Sequence, residues 1–182
     1  MLTNIPGEIV KTALLIIAAL LLPGICYFAW LAYKSQHPSP GEFPAGLQNN
    51  QLSPCPASPN CVNSEYAQDS EHYIAAISYQ NTSMDDIIQL LQQTIAVSGG
   101  RISEHKEYYI AATYRSRLFG FVDDVEFRIE PQQQLIHLRS ASRQGHSDLG
   151  ANRKRAQKIK QLFAQLSAQR GDDHPAINQQ LK

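Results

Sequence analysis

Residues 121–155 read FVDDVEFRIEPQQQLIHLRSASRQGHSDLGANRKR, two strand patterns followed by a polar loop and the start of a basic helix. Alternation along a pleated strand sorts side chains onto two faces. Phe121, Asp123, Val125, Phe127 and Ile129 share one face, while Val122, Asp124, Glu126, Arg128 and Glu130 share the other. The PQQQ run from Pro131 turns the chain. In residues 135–143 the same alternation sets Ile136, Leu138, Ser140 and Ser142 against His137, Arg139 and Arg143. One face of this hairpin is therefore core and the other is charged. Asp123 stands on the apolar face near the strand start, where a carboxylate must be paired or at the rim.

Working outward, residues 73–79 (YIAAISY) read as a strand, and Ser83 with Asp86 forms a capping-box-like helix start. Met84, Ile87, Ile88, Leu91 and Ile95 fall on one helical face, and Ser98-Gly99-Gly100 stops the helix. Strands are expected over 101–103, 108–118, 121–130 and 135–143, with Gly120 and the PQQQ run at the turns. A final helix starts at Gly150, capped by Ser147 or Asp148. Its stripe is Ile159, Leu162, Phe163 and Leu166, leaving Arg153, Lys154, Arg155, Lys158 and Lys160 in water. From Arg170 on no periodicity remains, which predicts a disordered tail. Strand, helix, four strands, helix predicts an α+β domain over 55–169, a two-layer fold with an antiparallel sheet and both helices on one face.

The 182-residue chain carries sixteen basic and sixteen acidic side chains, so no global field selects nucleic acid, and none is expected as a partner. Residues 12–33 contain no charge, a length that suits a hydrocarbon core of ~30 Å at ~1.5 Å per residue. A cleaved signal peptide would be shorter and followed by a small-residue site, and a lipoprotein signal would place a small residue before Cys26, where Ile25 stands. A transmembrane anchor is the reading that remains, with Tyr27, Phe28, Trp30 and Tyr33 at the interface. Lys11 and a short N-terminus (1–11) on the cytoplasmic side would send the rest outward. The chain is then a single-pass membrane protein with its domain outside the cytoplasm.

Residues 34–54, rich in Pro, Gly, Asn and Gln, read as a spacer, the alternative being a loop packed on the domain. Cys55 and Cys61, with five residues between them in an exported chain, suggest a local disulfide, with free thiols or a metal or redox site as alternatives. Cys26 lies in the apolar run. No partner for His146 stands at ligand spacing, and neither a metal nor another cofactor is expected.

Arg139 and Arg143, with Arg153, are candidates to cradle a carboxylate or phosphate. Cross-strand ion pairs with Asp124 and Glu126 are the plainer alternative. The loop from Ser140 to Asn152, including Ser142 and Asp148, feeds a helix N-terminus, which either binds an anion or is simply capped. Asp123, Asp124 and Glu126 would be the acid–base groups of any enzyme built here.

Three stretches, CPASPNCV at 55–62, GFVDDVEFRI at 120–129 and RSASRQGHSDLGANRKR at 139–155, resemble the signatures of the domain of unknown function 1499 family. The likeness runs over about residues 52–166. The resemblance implies a bacterial or plastid protein, often with an N-terminal membrane segment or signal, and no known enzymatic activity; joined to the anchor, it implies a single-pass protein of the bacterial inner membrane with a periplasmic domain. Its characteristic positions map to Cys55, Asn60, Cys61, Asp123, Asp124, Glu126, Arg139, Ser140, Ser142, Arg143, Asp148, Asn152 and Arg153. His146 departs from it, standing where an aromatic is expected. The function that follows is a membrane-anchored domain binding an anionic small molecule, a lipid or an envelope protein. An enzyme and a structural module of the envelope are the alternatives.

Overall fold

A computed structural model describes residues 7–39, 42–80, 82–117 and 119–173. Helix α1 (Gly7–Gln36) is 30 residues of mostly exposed apolar surface, long and apolar enough to cross a membrane. Strands β1 (Leu47–Gln48) and β2 (Gln51–Leu52) follow, then β3 (Cys61–Asn63), β4 (Ile77–Ser78) and α2 (Met84–Ser98). Strands β5 (Arg101–Lys106), β6 (Tyr109–Arg115), β7 (Val122–Glu130) and β8 (Leu135–Ser142) lead to α3 (Ala151–Asp173). The main sheet is antiparallel in the order β3-β8-β7-β6-β5, with β4 also pairing β8. This is the expected α+β arrangement.

Period-two alternation builds the core as read. Val125, Phe127 and Ile129 of β7, Ile136 and Leu138 of β8, and Ile110 and Ala112 of β6 pack against Ile87, Leu91 and Ile95 of α2 and Ile159 and Phe163 of α3. Ser83 caps α2 by accepting the Asp86 N–H, and Gly99 closes it in the left-handed region at φ 93°. Each buried aliphatic side chain contributes about 1.5–3 kcal/mol of transfer free energy, so this two-layer core carries the fold.

Four expectations need correction. The 73–79 segment is a strand only at Ile77–Ser78, with one parallel bridge at Tyr73; the rest curves away because β3 already occupies that edge of β8. Strand β5 extends to Lys106 rather than ending at residue 103, because its hairpin partner β6 pairs as far as Tyr109. Helix α3 continues past Arg170 to Asp173, and residues 174–182 of the expected tail lie outside the described residues.

The largest correction concerns residues 34–54, expected to be a spacer. Helix α1 takes the chain to Gln36, and residues 42–53 then cross the helix-free face of the sheet as a strap. Asn49 and Asn50, both at positive φ (51° and 61°), turn the β1–β2 hairpin. Leu52 is fully buried against Tyr109 and Ala111, forming a second small core on that face. Polar composition did not prevent packing, because the strap's backbone N–H groups find buried carboxylates.

Candidate functional site

The residues singled out from the sequence separate into two networks on opposite faces of the sheet. On the helix-free face, Asp124 accepts two hydrogen bonds from Arg143, at 2.6 Å from Nε and 2.7 Å from Nη2. Arg143 also donates to the Ser35 carbonyl of α1 (3.3 Å) and lies over the Phe43 ring of the strap. The Glu126 side chain is fully buried. Its Oε1 accepts from Arg139 (2.8 Å), and its Oε2 accepts from the Tyr109 hydroxyl (2.8 Å) and the Gly46 N–H (2.7 Å). Burial, and then the neighbouring Glu126 charge, push the Tyr109 hydroxyl far above the usual phenol range, so it stays a donor.

Further along β7, Arg128 donates from Nε to Glu65 (2.6 Å) and from Nη2 to Glu130 (2.7 Å). Glu65 also receives the Leu52 N–H, so a carboxylate holds each end of the strap. Burial alone would lower the Arg128 pKa, but the Glu130 and Glu65 hydrogen bonds outweigh it and raise it. His137 completes the group, with Nε2 3.3 Å from Glu130.

The second network lies under the helices. Asp123 accepts from Arg155 of α3 (2.5 Å), and the Arg155 guanidinium lies 5.1 Å from the centre of the Tyr114 ring. Buried Asn152 is the hub. Its carbonyl oxygen accepts from Ser140 (2.6 Å) and Arg155 (2.5 Å), while its amide donates to the Asn60 carbonyl (2.8 Å) and the Ser142 hydroxyl (2.9 Å). Asn60 in turn donates to the Gly145 carbonyl, tying the 140–152 loop to the bridged segment. Cys55 and Cys61 form that bridge, with Cα atoms 5.7 Å apart.

The structure does not bring the three arginines of the expected anion cradle together. Arg139 is buried and Arg143 half-buried, each paired within the protein, and Arg153 is across the sheet from them, donating to the carbonyls of Glu71 (2.6 Å) and Tyr73 (2.9 Å). The plainer reading holds, with one difference: the pairs are buried under the strap rather than exposed on a wet sheet face. At the N-terminus of α3, Asp148 accepts the N–H groups of Gly150 (2.9 Å) and Asn152 (2.6 Å), so a side chain of the loop caps the helix. The acid–base candidates are equally engaged: Asp123 by Arg155, Asp124 by Arg143, and Glu126 by Arg139, Tyr109 and Gly46. His146 is exposed. Among the described residues, no group of three or more His, Cys, Asp or Glu could hold a metal ion.

Sequence reasoning missed Arg155, Glu65, Tyr109 and Ser35. Arg155 was expected in water, yet it stands three residues after Asn152 and four before Ile159 on the helix, which was the available signal. Arg153 and Lys160 are also half-buried, Lys160 donating to the Ala75 carbonyl (2.7 Å). Glu65 and Ser35 carried no local signal, because their partners lie 63 and 87 residues away.

Two clefts remain. One of about 190 Å³ is lined by Asp148, Asn152 and Arg153 beside Cys61, but the hydrogen-bonding groups of these three already have partners in the fold. A wider one of about 540 Å³ lies between the strap hairpin and the β5–β6 and β7–β8 turns, lined by Leu47, Tyr108, Tyr109, Arg128 and Pro131. None of the site residues read from the sequence lines it.

The Glu130 carboxyl is held below the usual carboxylate range, chiefly by its hydrogen bond from Arg128 and then by the charges of Arg128 and His137, against a smaller desolvation effect. A carboxyl whose pKa falls on folding adds stability above its unfolded value, and that stability is lost as pH falls through the folded value. Acid titration of unfolding is expected to show a loss beginning below about pH 4.5 that Glu130→Gln removes. An unchanged acid limb in Glu130→Gln would assign the loss to other groups.

An apolar helix joined to a two-layer α+β domain, its helix-free face sealed over paired charges by a strap, defines the class. The signature described as "Protein of unknown function (DUF1499)" matches residues 51–163, and the chain belongs to that family. No curated protein matches the chain.

Proposed function

We propose that this is a single-pass protein of the bacterial inner membrane whose periplasmic domain works as a docking and assembly module of the envelope. The observation that carries the reading is the junction of α1 with the sheet. Ala32 and Ser35, in the last turns of the apolar helix, are buried against the domain. The Ser35 hydroxyl accepts the Val122 N–H (3.2 Å), its carbonyl accepts from Arg143, and Gln36 accepts from Arg115 (3.1 Å). A signal peptidase cutting within or just after the apolar run would strip these partners from a buried β7 start and from the half-buried Arg143. Retention of the helix follows from the cost of leaving such groups unpaired.

The module reading follows from the same contacts. With no spacer between helix and sheet, the domain is fixed at the membrane surface rather than tethered above it. Its buried arginines and carboxylates brace the fold, which leaves outer surfaces for recognition. The Cys55–Cys61 bridge suits an oxidising compartment and so supports the periplasmic orientation. The test is the intact mass of the protein recovered from alkali-washed membranes. A full 20.3 kDa chain is expected. A shortened chain released into the soluble fraction would overturn the anchor.

A further inference from the structure

The β6–β7 connection turns back beside the apolar helix. The Ser116 N–H donates to the Phe121 carbonyl (2.9 Å), the Gly120 N–H donates to the Ser116 carbonyl (3.1 Å), and Gly120 adopts φ 69°. This tight tip stacks Phe119 on Phe28 of α1, ring centroids 5.7 Å apart, with Phe121 edge-on to Phe119 at 6.0 Å. Both stacked rings keep open surface, Phe119 45% exposed and Phe28 47%. Phe28 lies five residues before Tyr33, where the charge-free run ends, so it sits about 7–8 Å inside that run at ~1.5 Å per residue. Phe119 shares that depth. Lys34, Arg115 and Arg117 are exposed around the junction.

Resting on the anchor reading above, we propose that the turn carrying Phe119 and Phe121 is a second membrane contact. Phe119 and Phe121 enter the lipid interface beside Phe28, while Arg115 and Arg117 meet headgroup phosphates. Aromatic rings suit the interfacial zone, and long basic side chains reach from it to the phosphate layer. A second contact off the helix axis would limit tilting of the domain against the bilayer and so present one constant face outward.

The chain has a single tryptophan, Trp30, which makes the test direct. The full chain is reconstituted into phosphatidylcholine–phosphatidylglycerol vesicles brominated high in the acyl chains. Wild-type protein reports on Trp30, and a Trp30→Phe/Phe119→Trp variant reports on the tip. Quenching is expected at both positions, with at least about a twofold loss of tip intensity for a ring in the interface. Quenched Trp30 with an unquenched, red-shifted tip would overturn the second contact and leave the anchor standing. An unquenched but blue-shifted tip would mean that protein, such as a second copy of this chain, covers Phe119, and would equally overturn it. An unquenched Trp30 would sink the anchor reading and this proposal together. Arg117→Gln is expected to weaken the tip quenching, as a contact of that guanidinium with headgroup phosphates requires; unchanged quenching in this variant would overturn that part.

Discussion

Arg139→Ala is expected to lower the unfolding free energy by about 3–5 kcal/mol, the loss typical of removing one partner from a buried ion pair. Glu126 would keep its hydrogen bonds from Tyr109 and Gly46 but face the interior with no countercharge. Arg139 itself has a buried Nε without a hydrogen-bond partner, so the pair is not an ideally satisfied one. An Arg139→Met/Glu126→Leu double variant, which replaces both charges by apolar groups of similar size, is therefore expected to be more stable than Arg139→Ala. Denaturant unfolding of the full chain in detergent measures both. Additive losses in the double variant would show that the pair is not coupled, and the bracing role would fall. A stability loss seen only when a phosphate or carboxylate ligand is present would instead restore the anion cradle.

Leu52→Ala is expected to cost about 2–5 kcal/mol, the range for truncating a fully buried leucine. A spacer residue would show no change. The loss should come with faster amide exchange at Gly46 and Leu52, whose N–H groups are held by Glu126 and Glu65. Unchanged stability together with unprotected amides would mean that the strap does not rest on the sheet in solution.

These two outcomes bear on why the polar patch reads differently in the sequence and in the structure. Alternation placed Asp124, Glu126, Arg139 and Arg143 on one face, and that placement holds in the paired register Glu126↔Arg139. Whether such a face binds a ligand or seals itself depends on what covers it. The cover is the segment least marked by composition, residues 42–53. Its one local signal was the symmetric Leu47-Gln48-Asn49-Asn50-Gln51-Leu52, an Asn-Asn turn between matching flanks. Arg153 was grouped with Arg139 and Arg143 by charge alone, although it stands on a helix of the opposite layer.

The sequence by itself determined the apolar helix, the α2 cap, the core faces of β7 and β8, and the close cysteine pair. Each depends on residues within a few positions of one another, where helical or strand periodicity dictates geometry. Only the tertiary structure decided that α1 is built into the sheet, that the strap seals the charged face, and that Asn152 gathers Asn60, Ser140 and Ser142. Those contacts join residues 10 to 108 positions apart. No local pattern encodes such pairings, because a buried charge accepts whichever partner the fold brings within hydrogen-bonding distance.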